Sequence, residues 1–282
     1  MLFSLLFFMF MYWLTLVVAG GEKGWKSGER IALVRIEGVI TDSKSVIEEL
    51  HRYRDDQSVK AILLRIDSPG GAVVPSQEIY DEVKKIKEAG KKKIVSSMGT
   101  VAASGGYYIA AGTERIIANP GTLTGSIGVI METANVEGLL QKIGVESVTI
   151  KSGKNKDVGS PFRKMKEEER ALLQSVLDDV HAQFIEAVAQ GRSLEIEKVR
   201  AFSDGRIFTG RQAKELGLVD ELGSLEAAVK RTAELAGIEG DPQVVETQKK
   251  LSVFELLRGQ FFGKWEAQFP ATSIRLNYLF SF

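Results

Sequence analysis

A serine followed by two glycines stands out at Ser104, inside the apolar stretch "TVAASGGYYIAAG" that runs from Thr100 to Gly112. No charged residue follows this serine until Glu114, so its hydroxyl is an isolated polar group among small and apolar side chains. Such a hydroxyl could cap a helix or act as a nucleophile, and a nucleophilic serine needs a neighbouring group that removes its proton. The chemistry of this segment therefore depends on which base the chain supplies.

Histidine is the usual base for a catalytic serine, but the chain contains only His51 and His181. Both lie in charged amphipathic segments, where we expect solvated or half-buried structural roles. Cysteine is absent, which excludes thiolate nucleophiles and disulfides, and two histidines alone do not favour zinc, so we predict no metal and no cofactor. The S-x-x-K pattern of penicillin-binding proteins is also excluded, because no serine has a lysine three positions later. A lysine elsewhere or a carboxylate must then serve as the base.

Two glycine-containing turns follow predicted strands. The turn "DSPGG" at Asp67–Gly71 follows the apolar run Lys60–Ile66, and Ser104 with Gly105 follows another apolar run. In a parallel α/β layer both turns lie at the carboxyl ends of strands, where ligands bind. The backbone N–H groups of Gly71 and Gly105 could converge there as an oxyanion hole, because glycine lets the backbone approach a substrate closely.

Strand and helix patterns alternate along the chain from residue 30 onwards. This alternation predicts an α/β fold with parallel strands joined by right-handed crossovers. Predicted strands cover residues 30–40, 60–66, 92–98, 114–119 and 145–153. Predicted helices cover residues 43–56, 75–90, a buried segment from 104, 136–144, 166–190, 194–201, 210–216 and 225–236.

Composition limits the classes of partner. The chain has 282 residues, of which 44% are hydrophobic, enough for one large core or two small ones. Basic and acidic residues are equal in number, 37 each, so there is no bulk charge to attract nucleic acid, and we predict none as a partner.

The two ends of the chain differ from the middle. Residues 2–20 carry no charge and are long enough to span a bilayer, so we predict a transmembrane anchor over 1–20, with a cleaved signal peptide as the alternative. A glycine-rich linker follows at 21–29, where Lys23 and Lys26 alone would favour a cytoplasmic folded domain. The aromatic-rich stretch 241–282 is predicted to be a C-terminal tail with an amphipathic segment, which either packs on the domain or contacts a membrane or another subunit.

Five motifs in consistent order, from about Ile31 to Gly237, resemble the signal peptide peptidase A family of serine peptidases in its short, single-unit form. No positively charged flank precedes the apolar N-terminal segment, which departs from the family pattern. The motifs are "SPGG", "VAASGGYYIA", "GTLTGSIGVI", "KSGKNKDVGSPFR" and "GRIFTGRQAKELGLVDELG".

The resemblance implies a role for particular residues. It makes Ser104 the nucleophile and Lys156 the general base, since Lys151 and Lys154 fit the motif less well. It makes Ser126 the hydroxyl that orients the lysine amine. It assigns Gly71 and Gly105 to the oxyanion hole. Free lysine has a pKa of about 10.4, so a basic Lys156 must be buried among apolar groups, and we expect Asp157 to face outward.

The resemblance also implies the architecture and the setting. The fold would be the ClpP/crotonase-like spiral of ββα units on a peptidase domain of residues 30–240. Members form dome-shaped homo-oligomers, in which the serine and lysine can come from adjacent subunits. The substrates would be cleaved signal peptides and other unfolded apolar peptides, at the inner membrane, with the domain outside the cytoplasm. Two alternatives remain: a crotonase-like acyl-CoA enzyme, which needs a carboxylate such as Asp67 or Glu114 at the hole, and a non-catalytic membrane scaffold.

Overall fold

The computed structural model of the chain describes residues 29–247 and 277–279. Within these ranges no helix is both long enough and apolar enough to cross a bilayer. The predicted anchor over 1–20 and most of the linker and C-terminal tail lie outside the described residues.

The described residues form an α/β structure. Its strands are β1 (Arg30–Glu37), β2 (Val59–Ser68), β3 (Gly70–Ala72), β4 (Lys93–Ala103), β5 (Arg115–Ala118), β6 (Leu123–Gly125), β7 (Ile207–Thr209), β8 (Glu221–Leu222), β9 (Gln243–Glu246) and β10 (Asn277–Leu279). Its helices are α1 (Lys44–Asp55), α2 (Val73–Ala89), α3 (Gly105–Ala111), α4 (Glu137–Lys142), α5 (Glu167–Arg192), α6 (Ile196–Arg200), α7 (Gly210–Leu216) and α8 (Leu225–Ala236).

One mixed sheet organises the fold. Its strands run in the order β7-β6-β4-β2-β1-β9, with β5 paired to β4 and β8 paired to β5. Every pairing in this sheet is parallel except that of β6 with β7. The parallel strands predicted over 30–40, 60–66, 92–98 and 114–119 are confirmed. The edge strand β9 falls in the stretch that the sequence analysis assigned to the C-terminal tail.

The central strands are apolar on both sides because helices cover both faces of the sheet. On one face, alternate residues of β1 and β2 such as Val34 and Leu64 pack with helices α1, α2, α3 and α5. On the other face, residues such as Leu33 and Leu63 pack against α8. The first glycine turn and Ser104 therefore lie at the carboxyl ends of strands β2 and β4, whose positions are fixed by a two-sided core.

The strand predicted over 145–153 is wrong. Residues 131–166, hereafter the arm, contain only the short helix α4, and none of the arm residues is buried in the single chain. Val148 is 77% exposed and Ile150 is 97% exposed. β-Branched residues favour a strand only where a neighbouring strand and a packed surface are available, and the arm finds neither among the described residues.

Candidate active site

Ser104 lies between the end of β4 and the first turn of α3, in an unusual backbone conformation. Its φ is 53° and its ψ is −118°, a region that non-glycine residues rarely adopt. The backbone is held there from both sides: the Ser104 N–H donates to the Gly125 carbonyl at 2.8 Å, and the Tyr108 N–H donates to the Ser104 carbonyl at 2.8 Å. Strain of this kind persists only when the surroundings enforce it, and it clusters at functional sites.

The Ser104 hydroxyl does not act as a helix cap. Its side chain makes no capping hydrogen bond, and the residue is only 1% exposed. Its Oγ has no hydrogen-bond partner within the described residues. Because a buried hydroxyl without a partner costs free energy, this arrangement indicates a group whose partner arrives from outside the described chain.

The backbone of the first glycine turn lies directly against Ser104. A Cβ atom added to Gly70, whose φ is +100°, would be 2.7 Å from the Gly105 nitrogen and 3.0 Å from the Ser104 Cβ. A Cβ on Gly105 would be 3.3 Å from the Gly71 nitrogen and 2.5 Å from the Ser76 Oγ. Only glycine allows these two backbone segments to approach so closely, so the packing requires glycine at positions 70 and 105.

The Gly71 N–H points toward this same place. On one edge of β3 the Ile40 N–H donates to the Gly70 carbonyl at 2.9 Å, and the Ala72 N–H donates to the Ile40 carbonyl at 2.7 Å. Because successive N–H groups of a strand point to opposite edges, the Gly71 N–H points to the other edge, beside Ser104. The structure thus brings together three of the residues singled out in the sequence: Ser104, Gly71 and Gly105.

Ser126 is placed beside Ser104 by strand register. Strands β4 and β6 are parallel, with Ala103 opposite Gly125, so the two serines each follow one member of the same pair. Ser126 is also 7% exposed and has a positive φ of 51°, and its N–H donates to the Arg206 carbonyl at 2.8 Å. The sheet therefore sets two buried hydroxyl-bearing residues next to each other at one strand end.

A short strand from the C-terminal region occupies the free edge of β3. Strand β10 pairs antiparallel with it, with Tyr278 opposite Gly71. A Cβ on Gly70 would be 2.1 Å from the Tyr278 carbonyl oxygen, so this oxygen lies close to the Gly105 nitrogen and Ser104. The sequence analysis did not identify this contact, and no local signal could have revealed it because the partners are about 200 residues apart.

The Tyr278 side chain fills an aromatic pocket. Its ring centroid is 5.3 Å from that of Tyr108 and 4.7 Å from that of Phe184. Its hydroxyl donates to the Val180 carbonyl at 3.2 Å, and the side chain is fully buried. Burial raises the pKa of Tyr278 well above its usual range and that of Tyr108 to about 12. The pocket beside Ser104 therefore accepts a large, neutral aromatic group.

A cavity of about 520 Å³ opens on the other side, at Ser126. His181 on α5 contributes to its wall, and the Nε2 atom of this histidine has no hydrogen-bond partner in the described part of the chain. The sequence analysis gave His181 a structural role and did not place it near Ser126. The cavity is lined by Ser126, Gly128, Val129, Ile130, Gln174, Leu177, Asp178, His181, Ser203, Asp204 and Gly205.

Lys156 is not brought to Ser104 within the single chain. It lies on the arm with an exposed side chain, so the expected burial among apolar groups is not present in one subunit. The other two lysines of the motif have partners of their own. Lys151 pairs with Asp157, and Lys154 pairs with Glu168.

Asp157 is expected to face away from the site of Lys156, and its carboxylate pairs with other residues of the arm. Its side chain is 10% exposed, because the Arg163 Nε donates to its Oδ2 at 2.7 Å and Lys151 binds its Oδ1. The hydrogen bonds from Arg163 and from Lys151 hold the pKa of Asp157 well below its usual range. The carboxylate is thus taken up by two cations other than its neighbour Lys156.

The carboxylates that a crotonase-like reaction would need have structural partners. Asp67 accepts a hydrogen bond from the Val101 N–H at 3.0 Å, and Glu114 accepts one from the Ile94 N–H and pairs with Lys93. His51 lies 3.1 Å from Glu82 and takes no part in the site.

Comparisons with known proteins identify the family of the chain. The profile of Peptidase family S49 matches residues 86–239, and that of Clp protease matches residues 28–123. A Synechocystis protein provisionally named a protease is 48% identical over 221 residues, covering 78% of this chain and 79% of its own length. An Enterococcus faecium protein provisionally named signal peptide peptidase SppA is 36% identical over 271 residues, covering 90% and 77%.

A more distant relative is named a serine protease. The chloroplastic serine protease SPPA of Arabidopsis thaliana is 33% identical over 257 residues, which cover 84% of this chain and 37% of the plant protein. The family profile covers more than half of the chain, and the first relatives are matched over most of their length. The chain is therefore a short-form member of Peptidase family S49, the signal peptide peptidase A family, and a serine-type peptidase.

Proposed function

We propose that the chain is a membrane-anchored serine endopeptidase with a Ser104–Lys156 dyad, which degrades cleaved signal peptides and other unfolded apolar peptides. The observation that carries the proposal is the buried Ser104 hydroxyl, which has no described partner and lies beside a peptide carbonyl, that of Tyr278. The Ser104 hydroxyl, the Tyr278 carbonyl and the Gly71 and Gly105 backbone amides therefore lie close together.

The reaction uses the groups around Ser104 in turn. Neutral Lys156 removes the Ser104 proton as Oγ attacks the substrate carbonyl carbon, and the Gly71 and Gly105 N–H groups stabilise the resulting oxyanion. Lys156 then gives the proton to the leaving amine, which frees the C-terminal part of the substrate. Water, activated by the same lysine, hydrolyses the acyl-enzyme and restores Ser104.

Lys156 is supplied by a neighbouring subunit in this proposal. Its loop is bonded to the beginning of α5, where Arg163 contacts Glu169, whereas Tyr278, which lies beside Ser104, contacts α5 at Val180. Glu169 and Val180 are eleven residues apart, which corresponds to about 16 Å along a helix axis. The exposed arm therefore points to a partner subunit in a homo-oligomer, and the cavity at Ser126 is open to receive the lysine of that partner.

Entry into this cavity would make Lys156 a base. The cavity wall includes apolar Val129, Ile130 and Leu177, which disfavour the charged ammonium form. Lowering a lysine pKa from about 10.4 to about 7–8 requires about 3–4 kcal/mol of differential destabilisation. The Ser126 hydroxyl would orient the amine toward Ser104.

The edge of β3 that β10 occupies indicates how substrates bind. An extended peptide would take the place of β10, pair antiparallel with β3, and pack one side chain against Tyr108 and Phe184. Only unfolded segments can add as a strand in this way, and the aromatic pocket favours large apolar side chains. Remnants of signal peptides have both properties.

The proposed location rests on the apolar N-terminal segment and on the family resemblance. The apolar residues 2–20 would anchor the chain in the inner membrane, with the peptidase domain outside the cytoplasm, where cleaved signal peptides accumulate. The E. faecium relative is named for that substrate class. No observation favours the acyl-CoA reaction, since Asp67 and Glu114 are occupied by backbone amides.

The test combines labelling with subunit complementation. The full chain, Ser104→Ala and Lys156→Ala are each incubated with an unfolded protein substrate and a serine-reactive phosphonate. We expect cleavage and labelling at Ser104 in the wild-type protein alone. Co-expressed Ser104→Ala and Lys156→Ala chains should regain about a quarter of the activity, because random mixing in a ring unites one intact serine with one intact lysine in that fraction of sites.

Each outcome decides one part of the proposal. Labelling of Ser104→Ala would exclude Ser104 as the nucleophile, and full activity of Lys156→Ala would exclude the dyad. Absence of recovery in the mixed oligomers would exclude the pairing between subunits and leave a dyad within one chain. Wild-type behaviour of all three proteins would favour a scaffold.

A further inference from the structure

Arg163 makes an unusually complete set of hydrogen bonds on the arm. Its Nε donates to the Asp157 Oδ2 at 2.7 Å, and one Nη2 hydrogen donates to the Asp157 carbonyl at 3.0 Å. The Nη groups also donate to the two Glu169 oxygens at 2.8 and 2.6 Å, and Nη1 donates to the Lys164 carbonyl at 3.1 Å. An arginine has five N–H donors, so all of them are used.

This side chain joins the loop that carries Lys156 to a rigid element. Glu169 belongs to the first turn of α5, is 5% exposed, and accepts a further hydrogen bond from the Lys166 N–H at 2.9 Å. Asp157 immediately follows Lys156 in the chain. The planar guanidinium binds both carboxylates at once, so it neutralises their charge and also fixes their relative positions. A lysine ammonium could not fix these positions.

None of the charged groups around Lys156 forms an ion pair with its amine within the described residues. Lys156 lies in a turn closed by its own N–H, which donates to the Gly153 carbonyl at 3.2 Å. No hydrogen bond or ion pair of its amine occurs within residues 29–247 and 277–279. The charged groups on the loop, in the first turn of α5 and on α4 are Lys151, Lys154, Asp157, Arg163, Lys164, Lys166, Glu167, Glu168, Glu169, Arg170, Glu137 and Lys142.

We propose that Arg163 is a positioning residue for the lysine base: it fixes the shape of the Lys156 loop on α5 and binds the Asp157 carboxylate so that this carboxylate cannot pair with Lys156. The inference rests on the proposed function, because it concerns the base of that reaction. Without Arg163, Asp157 would keep only Lys151 as a partner, and its Oδ2 could approach the adjacent ammonium.

The electrostatic consequence has a definite sign. An anion within about 4–6 Å of a lysine stabilises the ammonium form, and typical effects are 1–3 pKa units. Release of Asp157 would therefore make Lys156 a base only at higher pH. The low-pH limb of the kcat/KM profile, which reports the base of the free enzyme, would move upward.

The experiment measures kcat/KM for an unfolded peptide from pH 6 to 10 with the full chain, Arg163→Gln, Asp157→Asn and Arg163→Gln/Asp157→Asn. We expect the limb of Arg163→Gln to move up by about one pH unit or more. The double variant should return the limb to the wild-type position, although its maximum rate stays low because the loop is no longer held. A loss of structure alone would lower the rate of both variants without this reversal.

Arg231→Gln is the matched control. Arg231 also bridges two carboxylates, those of Glu221 and Glu234, but it lies on α8, which covers the sheet face opposite α3. Its profile should coincide with that of the wild-type protein. If Arg163→Gln does not fold, Lys151→Gln, which removes the other cation from Asp157, should move the limb in the same direction by a smaller amount.

Two results would overturn the inference. A limb that stays in place in Arg163→Gln and in Lys151→Gln would show that Asp157 is not held away from the base. A limb that moves equally in the single and double variants would show that another group causes the shift. Failure of the proposed function is recognised separately, because Lys156→Ala would then keep wild-type activity.

Discussion

The two halves of the proposed dyad are built in opposite ways. Every residue from Ala102 to Gly112 is buried, and the unusual backbone at Ser104 is held by hydrogen bonds to a neighbouring strand and within its helix. The arm, in contrast, has no buried residue, and its contacts are ion pairs and backbone hydrogen bonds, mostly between close neighbours in sequence. The nucleophile is thus prepared by the fold of one chain, whereas the base has no finished environment in that chain.

This contrast shows how the activity could depend on assembly. With the proposed dyad, an isolated subunit would be inert, since an alcohol without a base is a weak nucleophile. If subunits complete one another, activity appears only in the oligomer.

Gly105→Ala should nearly abolish activity. The new Cβ would lie 2.5 Å from the Ser76 Oγ and 3.3 Å from the Gly71 nitrogen, so the two glycine segments must separate and the oxyanion site must open. Loss of one oxyanion donor typically costs 100- to 1000-fold in kcat, and we expect a loss of about that size in peptide hydrolysis.

Ser76→Ala provides the control for this steric argument. The Ser76 hydroxyl donates only to the Ala72 carbonyl of its own helix region, at 2.9 Å, so its removal alone should change little. In the Gly105→Ala background it removes the nearest clashing atom and should restore part of the activity. Full activity of Gly105→Ala would contradict the assignment of this site.

Ile150→Glu should lower activity about tenfold or more at low protein concentration without destabilising the chain. Ile150 is 97% exposed in the single subunit, so a charge there costs nothing in the monomer but is unfavourable against a partner. Analytical ultracentrifugation and activity as a function of concentration provide the measurement. Ile196→Glu, at a position 44% exposed on α6, is the control and should remain wild-type. An unchanged oligomer with full activity would argue against the arm as a subunit contact.

A chain that ends at Arg275 should have a lower KM for short peptides. Removal of β10 frees the edge of β3 and the pocket of Tyr108 and Phe184, which a tethered segment otherwise occupies at high effective concentration. We expect KM to fall roughly threefold or more, with kcat unchanged. Tyr278→Phe keeps the ring and loses only the hydrogen bond to Val180, so its effect should be smaller. An unchanged KM would mean that peptides do not bind where β10 lies.

Acid should reduce the stability of the domain body, through Asp220, but not that of the arm in the same way. Burial of Asp220 would raise its pKa, but hydrogen bonds from Arg192, Ile116 and Arg115 hold it below its usual range. Its stabilising effect is therefore present above the unfolded pKa of about 3.9 and is lost as pH falls through the lower folded pKa. Asp220→Asn should lower the free energy of unfolding by roughly 2 kcal/mol at pH 7, and the difference from wild type should shrink below about pH 4.

Asp157→Asn is the counterpart on the arm. Asp157 also has a lowered pKa, but its partners belong to the arm, so the substitution should leave the thermal midpoint of the domain unchanged. Faster amide exchange confined to residues of the arm would report its local effect. An equal loss of global stability in Asp157→Asn and Asp220→Asn would show that the arm and the body unfold as one unit.

The sequence allowed prediction of the parts of the site that depend on local pattern. Ser104, Gly71 and Gly105 follow apolar strands directly, and parallel strands bring their carboxyl ends to one edge, so their proximity could be inferred. Ser126 was named from the family motif, and the register of β4 with β6 supplies the physical reason for its position.

The remaining parts depend on contacts that no local pattern contains. The segment around Val148 and Ile150 has strand-forming residues, but a strand needs a partner edge, which the single chain does not offer. Burial of Lys156 fails within one chain for the same reason. The position of Tyr278 beside Gly71 depends on a pairing across the whole sequence. Arg163 could have been noticed from the acidic residues six positions before and after it, Asp157 and Glu169.

The antiparallel pairing of β10 with β3 also sets the chain direction in which a peptide would bind at the site. A strand edge is chemically polar, so a chain that enters with the opposite polarity presents its amides and carbonyls out of phase. The Ser104 hydroxyl would then face the wrong atoms of every residue in turn. The enzyme would accordingly cleave a peptide but not the peptide of reversed sequence bound in the opposite direction. It would also hold the new carboxyl end and the new amino end of each product on fixed, opposite sides of the nucleophile.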